Sequence, residues 1–501
     1  MSGAFEVRAE SSSPTAANCE ELLQQGAIAH PDPDISGAGV VLAFILSAYI
    51  TFFMVLVVYL GGLVDSTLLR PVDRQIFHIQ PYSPSRRRPQ LHASVRKAVL
   101  ALSDQQIVTG IAIMGAGFQG LRTGSISVYH FQIVLYLAWM SSSVHLSAIT
   151  LLGTYLQEHR GIMIWRLCGM SILLVMLIIG LVPTISNDWG IFWWNGMVDG
   201  RTGWAIPAKC FWGKLWGDGV GPDAPLGFII LAISYIWKVG GLFSITSTAY
   251  NRWARSPLET LLVLLLKVPA THSDSDMHPR LWLWLFRLIL GIALPLFVIL
   301  ECVSSFAASL WISLTGLLFG TIQVLVPRTQ MQPLTGSLEN TWGFGQLVPL
   351  ILLIQPLGAI MEHVWTKDQS GLHRQDTNHT RDDAATSSFA NPFELDTGAN
   401  GKSSLIQLIS GRSPISSFSI RDKKQEMKAL LFSSKLFATL VWLVQAAVVT
   451  ICVVVFYFDA ETIGNQRSNN WEFILEAIAA FAIFGFLMTV VLSPFSRTGK
   501  L

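Results

Sequence analysis

The chain carries little charge for its length. Only 13% of its 501 residues are Asp, Glu, Lys or Arg, whereas a soluble domain typically carries about 25%. Since 51% of the residues are hydrophobic, the composition is typical of a membrane protein and predicts the lipid bilayer as its main partner. The formal net charge of +2 lacks the positive excess of nucleic-acid-binding proteins, which argues against nucleic acid as a partner.

Motifs of familiar enzymes are also missing. The sequence contains no G-x-S-x-G, no H-E-x-x-H and no G-x-x-x-x-G-K-[S/T], which argues against a serine hydrolase, a membrane metalloprotease and an ATP-driven pump. No group of carboxylates has the spacing of metal ligands, so we expect neither a metal nor a cofactor. The pattern favours a protein that is not an enzyme, although an enzyme of an unfamiliar kind stays open.

A secretory signal peptide is absent, and long apolar runs are abundant. The first 36 residues are polar and acidic, so the first membrane helix is expected to serve as the targeting signal and to be retained. Runs of roughly 20 apolar residues are long enough to cross a bilayer. We find them at 37–64, 105–121, 126–156, 162–185, 225–250, 287–326, 343–364, 434–457 and 472–492.

These runs predict an all-α, polytopic transmembrane helix bundle of about nine helices. The run 287–326 is nearly twice as long as one crossing needs, and we count it once, so that eight or ten helices remain alternatives. Lys and Arg concentrate in the loop 65–103, which predicts that this loop is cytoplasmic and that the N-terminus lies outside. The predicted units are an outer N-terminal tail (1–36), a core of about seven helices (37–364) with an outer loop (186–224), a disordered cytoplasmic loop (365–433), and two further helices with a short tail (434–501).

Five cysteines are too few for a disulfide framework. Cys168, Cys302 and Cys452 lie inside apolar runs, where a buried thiol is ordinary. Cys19 and Cys210 both lie in segments predicted to face the oxidising outer side. The sequence therefore predicts a disulfide that ties the N-terminal tail to the outer loop.

Charged residues within the apolar runs give the main candidate site. Lys238 lies in the run 225–250, and Glu301 lies in the run 287–326. An isolated charge is costly inside a membrane, so each is expected to face the bundle interior and find a partner. We predict a Lys238–Glu301 pair with His145 nearby. It is either a structural ion pair that fixes helix register or a site for a substrate or proton.

Two histidines lie in the run 126–156. His130 and His145 are on one helix, and no second histidine is expected at mid-membrane on a facing helix, so a haem is not favoured. His145 lies beside Ser141, Ser142 and Ser143, and small hydroxyl residues allow close helix packing and hydrogen bonds between helices. A structural role and a role in handling a ligand or proton both remain open for His145.

Tryptophans concentrate in the outer loop 186–224. Trp favours the membrane interface, so an interfacial cover is the simpler interpretation. A stacking surface for a sugar or a flat organic ligand is the alternative. The residues that would form this surface are Trp193, Trp194, Trp204 and Trp212.

Three stretches resemble a family of multi-pass integral membrane proteins of filamentous fungi to which no activity is attached. They are "LSDQQIVTGIAI" (102–113), "ISVYHFQIVLYLAWMSSSVHL" (126–146) and "ENTWGFGQLVPLILLIQPL" (339–357). The resemblance covers about 37–364 and implies a polytopic membrane protein with this helix order. It also implies that a shared core contains Asp104, Gln106, His130 and His145.

Two functions from different classes remain. A membrane sensor, signalling protein or scaffold fits the exterior N-terminus and the long Ser/Thr-rich loop 365–433, which either binds a cytoplasmic protein partner after modification or is a plain linker. A secondary transporter for a small organic molecule fits the intramembrane charges instead. The plasma membrane is the expected location, with another membrane of the secretory pathway as the alternative.

Overall fold

The structure is a computed structural model. It describes residues 16–28, 30–80, 89–194, 197–198, 200–217, 224–272, 279–354, 358, 427–462 and 470–492. Most of the predicted loop 365–433 and the C-terminal tail lie outside these residues. The predictions for those two segments therefore stay predictions.

The predicted all-α class is confirmed, since helices dominate and the only sheet among the described residues is a hairpin with two residues in each strand. The hairpin pairs β1 (Trp193–Trp194) with β2 (Met197–Val198). The helices are α1 (Ala16–Gln25), α2 (Ala38–Leu60), α3 (Pro71–Gln75), α4 (Pro89–Thr123), α5 (Val128–Glu158), α6 (Arg160–Leu181), α7 (Gly200–Ala205), α8 (Ala208–Trp212), α9 (Ala224–Leu242), α10 (Ser244–Tyr250), α11 (Ser256–His272), α12 (Pro279–Val303), α13 (Phe306–Thr335), α14 (Phe344–Leu352), α15 (Lys435–Thr462) and α16 (Asn470–Leu492).

Within the described residues, 7 helices are long and apolar enough to cross a membrane. Two shorter apolar helical segments, Gly227–Leu242 and Ile478–Leu492, accompany them. The spans are Ala38–Leu60, Ala93–Thr123, Val128–Glu158, Arg160–Ile185, Arg280–Val303, Phe306–Thr335 and Lys435–Cys452.

The prediction that 287–326 forms one helix is wrong. This run contains the end of α12 and the start of α13, and each of these helices is long enough to span a membrane. The break falls at Ser304 and Ser305, where the Ser305 hydroxyl accepts a 3.1 Å hydrogen bond from the backbone N–H of Ala308. A serine in this position caps the N-terminus of a helix, so the chain ends one helix here and starts the next.

Helix α5 forms the centre of the fold. It packs against α2, α4, α6, α9 and α13, and its apolar window is 94% buried inside the protein. A helix that is apolar on all sides is either a core helix or a membrane span, and the burial of α5 shows that other parts of the protein cover it. Polar side chains on α5 therefore face neighbouring helices, where hydrogen bonds offset the cost of burying them.

Helix ends meet in two groups at opposite ends of α13. At one end, the start of α13 contacts Asp73, and Val72 packs in one apolar cluster with Met427 and Leu431. We call this the basic end, because the Arg-rich loop after α2 and the segment before α15 both reach it. At the other end, Arg328 of α13 binds the backbone carbonyl of Ser36; we call this the tryptophan end, since the outer loop 186–217 packs there.

Helix α11 lies between the predicted apolar runs 225–250 and 287–326, where no membrane helix was predicted. It packs along α12, so the two helices form a hairpin. The start of α11 and the end of α12 meet at the basic end, where Arg255 contacts Glu301. Although two helices, α12 and α13, replace one predicted helix, the segments near Asp73 and Lys428 still share one end of the bundle.

Candidate functional site

Lys238 lies in the interface of α5, α9 and α13. Its side chain is 5% exposed. The ammonium donates hydrogen bonds to the Leu146 carbonyl oxygen at 3.1 Å and to Thr150 Oγ1 at 3.0 Å, and a third to Ser313 Oγ. All three acceptors belong to neutral groups. The three donors of the ammonium are therefore satisfied, and no carboxylate of the described part of the chain forms an ion pair with it.

The position of Lys238 follows from the local packing of α9. Leu231, Tyr235 and Lys238 are buried, while Ile233 and Ile236 are exposed on the opposite face. This spacing places the lysine on the face that α9 turns toward α5 and α13. Ser313 is seven residues after Phe306, or about 10 Å along an ideal helix, so the site lies inside the bundle and nearer to its basic end.

A small cavity adjoins the ammonium. Its volume of about 10 Å³ has room for one water molecule. The lining combines hydroxyl groups with apolar side chains. The lining residues are Trp139, Ser142, Ser143, Leu146, Ile230, Leu231, Ser234, Lys238, Ile312, Ser313 and Gly316.

The expected Lys238–Glu301 pair is not formed. Glu301 lies in the last turn of α12 at the basic end, where its Oε1 binds Arg255 and lies 3.5 Å from Lys428 Nζ. Glu301 was expected inside the membrane because 287–326 was predicted to form one helix. Since the helix ends at Val303, this glutamate belongs to a separate cluster of charges.

That cluster joins four charged side chains. Arg255 Nε and Lys428 Nζ bind Glu259 Oε1 at 2.8 Å and 2.9 Å. Burial by itself would raise the pKa of Glu259, but the hydrogen bonds and charges of Lys428 and Arg255 outweigh it and lower the pKa. Lys428 lies just before α15, so the cluster attaches this part of the chain to the α11–α12 hairpin.

His145 lies apart from the contacts of Lys238. It is 1% exposed, and its Nε2 has no hydrogen-bond partner among the described residues. Its ring interacts electrostatically with Arg166 of α6. The Leu146 carbonyl next to it in the chain contacts Lys238, so α5 presents one polar group toward α9 and another toward the Arg166 region.

Arg166 is a buried charged residue that was not predicted from the sequence. This side chain is 3% exposed, and its Nη2 binds Asp104 Oδ1 at 2.6 Å and the Leu100 carbonyl at 2.9 Å. In the sequence it lies near the start of an apolar run, where a basic residue normally reaches the membrane surface. The neighbouring acid, Asp104, was the available signal, because the resemblance placed it in a shared core.

A second charged contact missed by the sequence analysis holds the tryptophan end together. His130 Nε2 lies 3.5 Å from Glu339 Oε1, and the hydroxyl of Tyr129 donates a 3.1 Å hydrogen bond to Glu339 Oε2. Burial would raise the pKa of Glu339, but hydrogen bonds from His130, Ser36 and Tyr129 and the charge of His130 lower it. His130 was singled out from the sequence; its partner was not.

The outer loop forms a packed aromatic layer at the tryptophan end. The Trp189 ring centroid lies 5.9 Å from Phe131, 6.2 Å from Phe211 and 6.4 Å from Trp212. Trp204 and Trp212 are both half-buried. Trp193 and Trp194 form the first strand of the hairpin. The described rings therefore pack mainly on one another and on α5.

Cys19 and Cys210 form a disulfide with a Cα–Cα distance of 5.3 Å. It joins α1 to α8 across a sequence separation of 191 residues. The N-terminal helix and the outer loop are thus covalently connected at the tryptophan end. In the described part of the chain, no group of three or more His, Cys, Asp and Glu side chains is placed to hold a metal ion.

Several long apolar helices around a buried polar interior indicate a membrane-embedded protein. Comparison with known proteins finds similarity to fungal proteins. Elsinochromes biosynthesis cluster protein HP3 of Elsinoe fawcettii is 38% identical over 120 residues, or 24% of this chain and 46% of that protein. Elsinochromes biosynthesis cluster protein HP2 of the same fungus is 23% identical over 185 residues, or 32% of this chain and 48% of that protein.

The chain thus aligns with about half the length of each of these curated relatives. No family model matches the chain. No solved structure matches it either. The names of the relatives refer to a fungal biosynthesis cluster. They do not name a reaction or a ligand.

Proposed function

We propose that this protein is a multi-pass membrane transporter for a small organic molecule. The observation that carries the proposal is the buried ammonium of Lys238, which lies between three helices with only neutral oxygens around it. Intramembrane charges are costly and generally mark a pathway for substrates, ions or protons. Their usual place in transporters is an interface between helices that move relative to one another.

A purely structural role explains the buried charge of Lys238 less well than a substrate site does. Arg166 and Arg255, which are also buried or nearly so, each hold a carboxylate. Pairing of this kind offsets the cost of removing a charge from water. Within the described residues Lys238 has no such partner, so an apolar residue of similar size would fill the same space at lower cost, and the presence of the charge supports a role in function.

The relatives support a role in fungal biosynthesis. The names of HP2 and HP3 place both in the biosynthesis cluster of elsinochromes. We propose a comparable setting here, in which the transported molecule is a product or intermediate of a biosynthetic pathway. A protein that moves such a molecule across a membrane needs no catalytic group of its own.

The proposed orientation places the tryptophan end outside and the basic end in the cytoplasm, at the plasma membrane or another membrane of the secretory pathway. Two features support it. The Cys19–Cys210 disulfide belongs to an oxidising compartment. The described start of the basic stretch, with Val72 and Ile76, and the segment around Lys428 lie together at the opposite end, where the positive-inside rule puts basic segments.

The test compares small molecules in cells and in medium for a strain that lacks the gene, separately restored with wild-type, Lys238→Met or Lys435→Met protein. Lys435 is an exposed lysine at the start of α15, so its replacement removes the same charge away from the site. Transport predicts that specific compounds shift between cells and medium, and that wild-type and Lys435→Met restore the distribution while Lys238→Met does not. An unchanged distribution in the deletion strain contradicts transport.

A sensor or scaffold is the second candidate, and the charge cluster at the basic end favours it. Lys428 lies near the end of the predicted loop 365–433 and binds Glu259 and Glu301 of the helix hairpin. A change in helix packing would therefore reach the loop, where a cytoplasmic protein partner would bind. Deletion of 380–415 abolishes function in this case, whereas a transporter keeps it.

A further inference from the structure

We infer that Lys238 binds the acidic group of a small, largely apolar organic anion. The inference rests on the proposed transport function, because it names the substrate class of the same site. It assigns a negative charge to the ligand, which neither the fold nor the relatives specify. Four observations lead to it.

The first observation is the charge balance around Lys238. Its three acceptors are a backbone carbonyl and two hydroxyl groups, and the ammonium is in no ion pair among the described residues. A buried cation with neutral partners leaves a net positive charge in a medium of low dielectric constant. An anionic ligand would neutralise that charge, whereas a neutral ligand would leave it and a cation would add to it.

The second observation concerns the carboxylates that could supply a counter-charge within the described residues. Asp65 accepts a hydrogen bond from Thr154 Oγ1, one turn along α5 from Thr150. Glu301 is held by Arg255, and Glu339 is held by His130 and Tyr129. Asp73 accepts hydrogen bonds from Tyr59 and from the backbone at the start of α13. Each of these carboxylates has a partner of its own, and the hydrogen bonds of Lys238 go to other groups.

The third observation is how the hydroxyl acceptors are themselves bonded. Thr150 Oγ1 donates to the Leu146 carbonyl at 3.0 Å, and Ser313 Oγ donates to the Ser309 carbonyl at 3.0 Å. Their hydrogens are thus used within their own helices, and their lone pairs face the ammonium. A ligand oxyanion can replace either hydroxyl at Lys238 without leaving the Thr150 or Ser313 hydroxyl group unsatisfied, since each keeps its bond within its helix.

The fourth observation is the lining of the cavity beside the ammonium. Trp139, Ile230, Leu231 and Ile312 supply apolar walls, while Ser142 and Ser234 add hydroxyl groups. This combination suits an apolar or aromatic body that carries one acidic group and a few hydroxyl or carbonyl groups. Strongly polar ligands with several charges do not suit these walls.

The conformation described here encloses the site. A cavity of about 10 Å³ holds one water molecule, so a ligand enters only when α9 moves away from α5 and α13. Gly240 and Gly241 lie at the end of α9 next to the break before α10. Glycine lowers helix stability and takes up backbone rotation at little steric cost, which makes this end the expected hinge.

The experiment measures binding to the purified full chain in lipid nanodiscs. The probes are benzoate, naphthoate and anthracenecarboxylate, each compared with its uncharged amide. The proteins are wild-type, Lys238→Met, Lys238→Arg and the control Lys435→Met. Each variant is first checked by gel filtration and thermal unfolding, and Lys238→Arg keeps the charge if loss of the lysine harms folding.

At least one carboxylate is expected to bind wild-type protein about tenfold more tightly than its amide. The preference should persist in Lys238→Arg and Lys435→Met and disappear in Lys238→Met. If no probe shows a preference for the carboxylate, or if the preference survives in Lys238→Met, the inference is overturned.

Flux measurements in proteoliposomes separate this inference from the proposed function. Binding of a carboxylate through Lys238 without any flux of it supports the anion site and contradicts transport. Flux of the amides at the same rate as the carboxylates, unchanged in Lys238→Met, supports transport and contradicts the anion site. Saturable flux of a carboxylate that requires a positive charge at position 238 supports both.

Discussion

The carboxylate of Asp73 lies at the N-terminus of α13, where it accepts a 3.1 Å hydrogen bond from the backbone N–H of Phe306. The N–H of Ala307 lies 3.4 Å from the same side chain, and the hydroxyl of Tyr59 donates to it at 2.8 Å. A negative charge is favourable at this end of a helix because the unpaired N–H groups point toward it. Asp73 therefore joins the loop after α2 to the helix that carries Ser313.

Asp73→Asn is expected to destabilise the protein while keeping the size of the side chain. The change removes the charge from hydrogen bonds that are worth about 1.5–3 kcal/mol when one partner is charged. Thermal unfolding in detergent should show a clear drop in midpoint. Tyr59→Phe removes one of these bonds and keeps the charge, so its midpoint should fall less; an Asp73→Asn protein as stable as wild type would contradict the role of this carboxylate.

Sequence patterns predicted much of the fold because long apolar helices leave a direct compositional signal. The runs at 37–64, 126–156 and 162–185 correspond closely to α2, α5 and α6. The pattern failed where an apolar run continues through a break. Ser304 and Ser305 interrupt 287–326, yet serines are also common inside membrane helices, so the sequence does not distinguish a cap from a packing residue.

The candidate site was predicted less completely, since pairing of charges depends on which helices are neighbours. Lys238 was identified by its place in an apolar run, but its partners come from α5 and α13, which apolar periodicity cannot assign. Glu301 was paired wrongly because its depth was judged from a helix that ends earlier than expected. Arg166 was overlooked because residues near the ends of apolar runs normally reach water.

The cluster at the basic end gives a second prediction. Arg255→Gln leaves Glu259 and Glu301 close together with only Lys428 beside them. Removing one partner of a buried ion pair typically costs about 3–5 kcal/mol. Thermal unfolding should show this loss, and the double variant Arg255→Gln/Glu301→Gln should be more stable than Arg255→Gln alone. If the two changes simply add, the side chains do not act as a pair.

Glu339 gives a prediction about pH. In the folded protein, burial would raise its pKa, but the hydrogen bonds to Glu339 and the charge of His130 outweigh burial and lower it. A glutamate in the unfolded chain has a pKa of about 4.3. The ionised carboxylate therefore stabilises the fold at pH values above the pKa of an unfolded glutamate. This contribution is lost as the pH falls through the lowered pKa of the folded protein. Wild-type protein should unfold at higher temperature than Glu339→Gln at neutral pH.

The same comparison across pH provides the check on Glu339. The difference in unfolding midpoint between wild type and Glu339→Gln should narrow as the pH falls below the ordinary glutamate range, because the glutamate is then protonated and becomes neutral like the glutamine. His130→Phe replaces the imidazole, whose Nε2 lies 3.5 Å from Glu339 Oε1, with a ring that has no polar atom. In this background the difference in unfolding midpoint between proteins with and without Glu339→Gln at neutral pH should be smaller. A constant difference at every pH would mean that Glu339 acts through packing rather than through its charge.

The disulfide provides a test of the proposed orientation. In a chain with Cys168, Cys302 and Cys452 each changed to serine, Cys19 and Cys210 are the only thiols left. With the tryptophan end outside, a membrane-impermeant maleimide should label intact cells only after treatment with an impermeant reductant, because the two sulfurs are otherwise bonded to each other. Labelling without reduction would contradict the disulfide. Labelling that requires both permeabilised cells and the reductant would place the tryptophan end in the lumen of an internal membrane, whereas labelling of permeabilised cells without the reductant would place it in the cytoplasm and reverse the orientation.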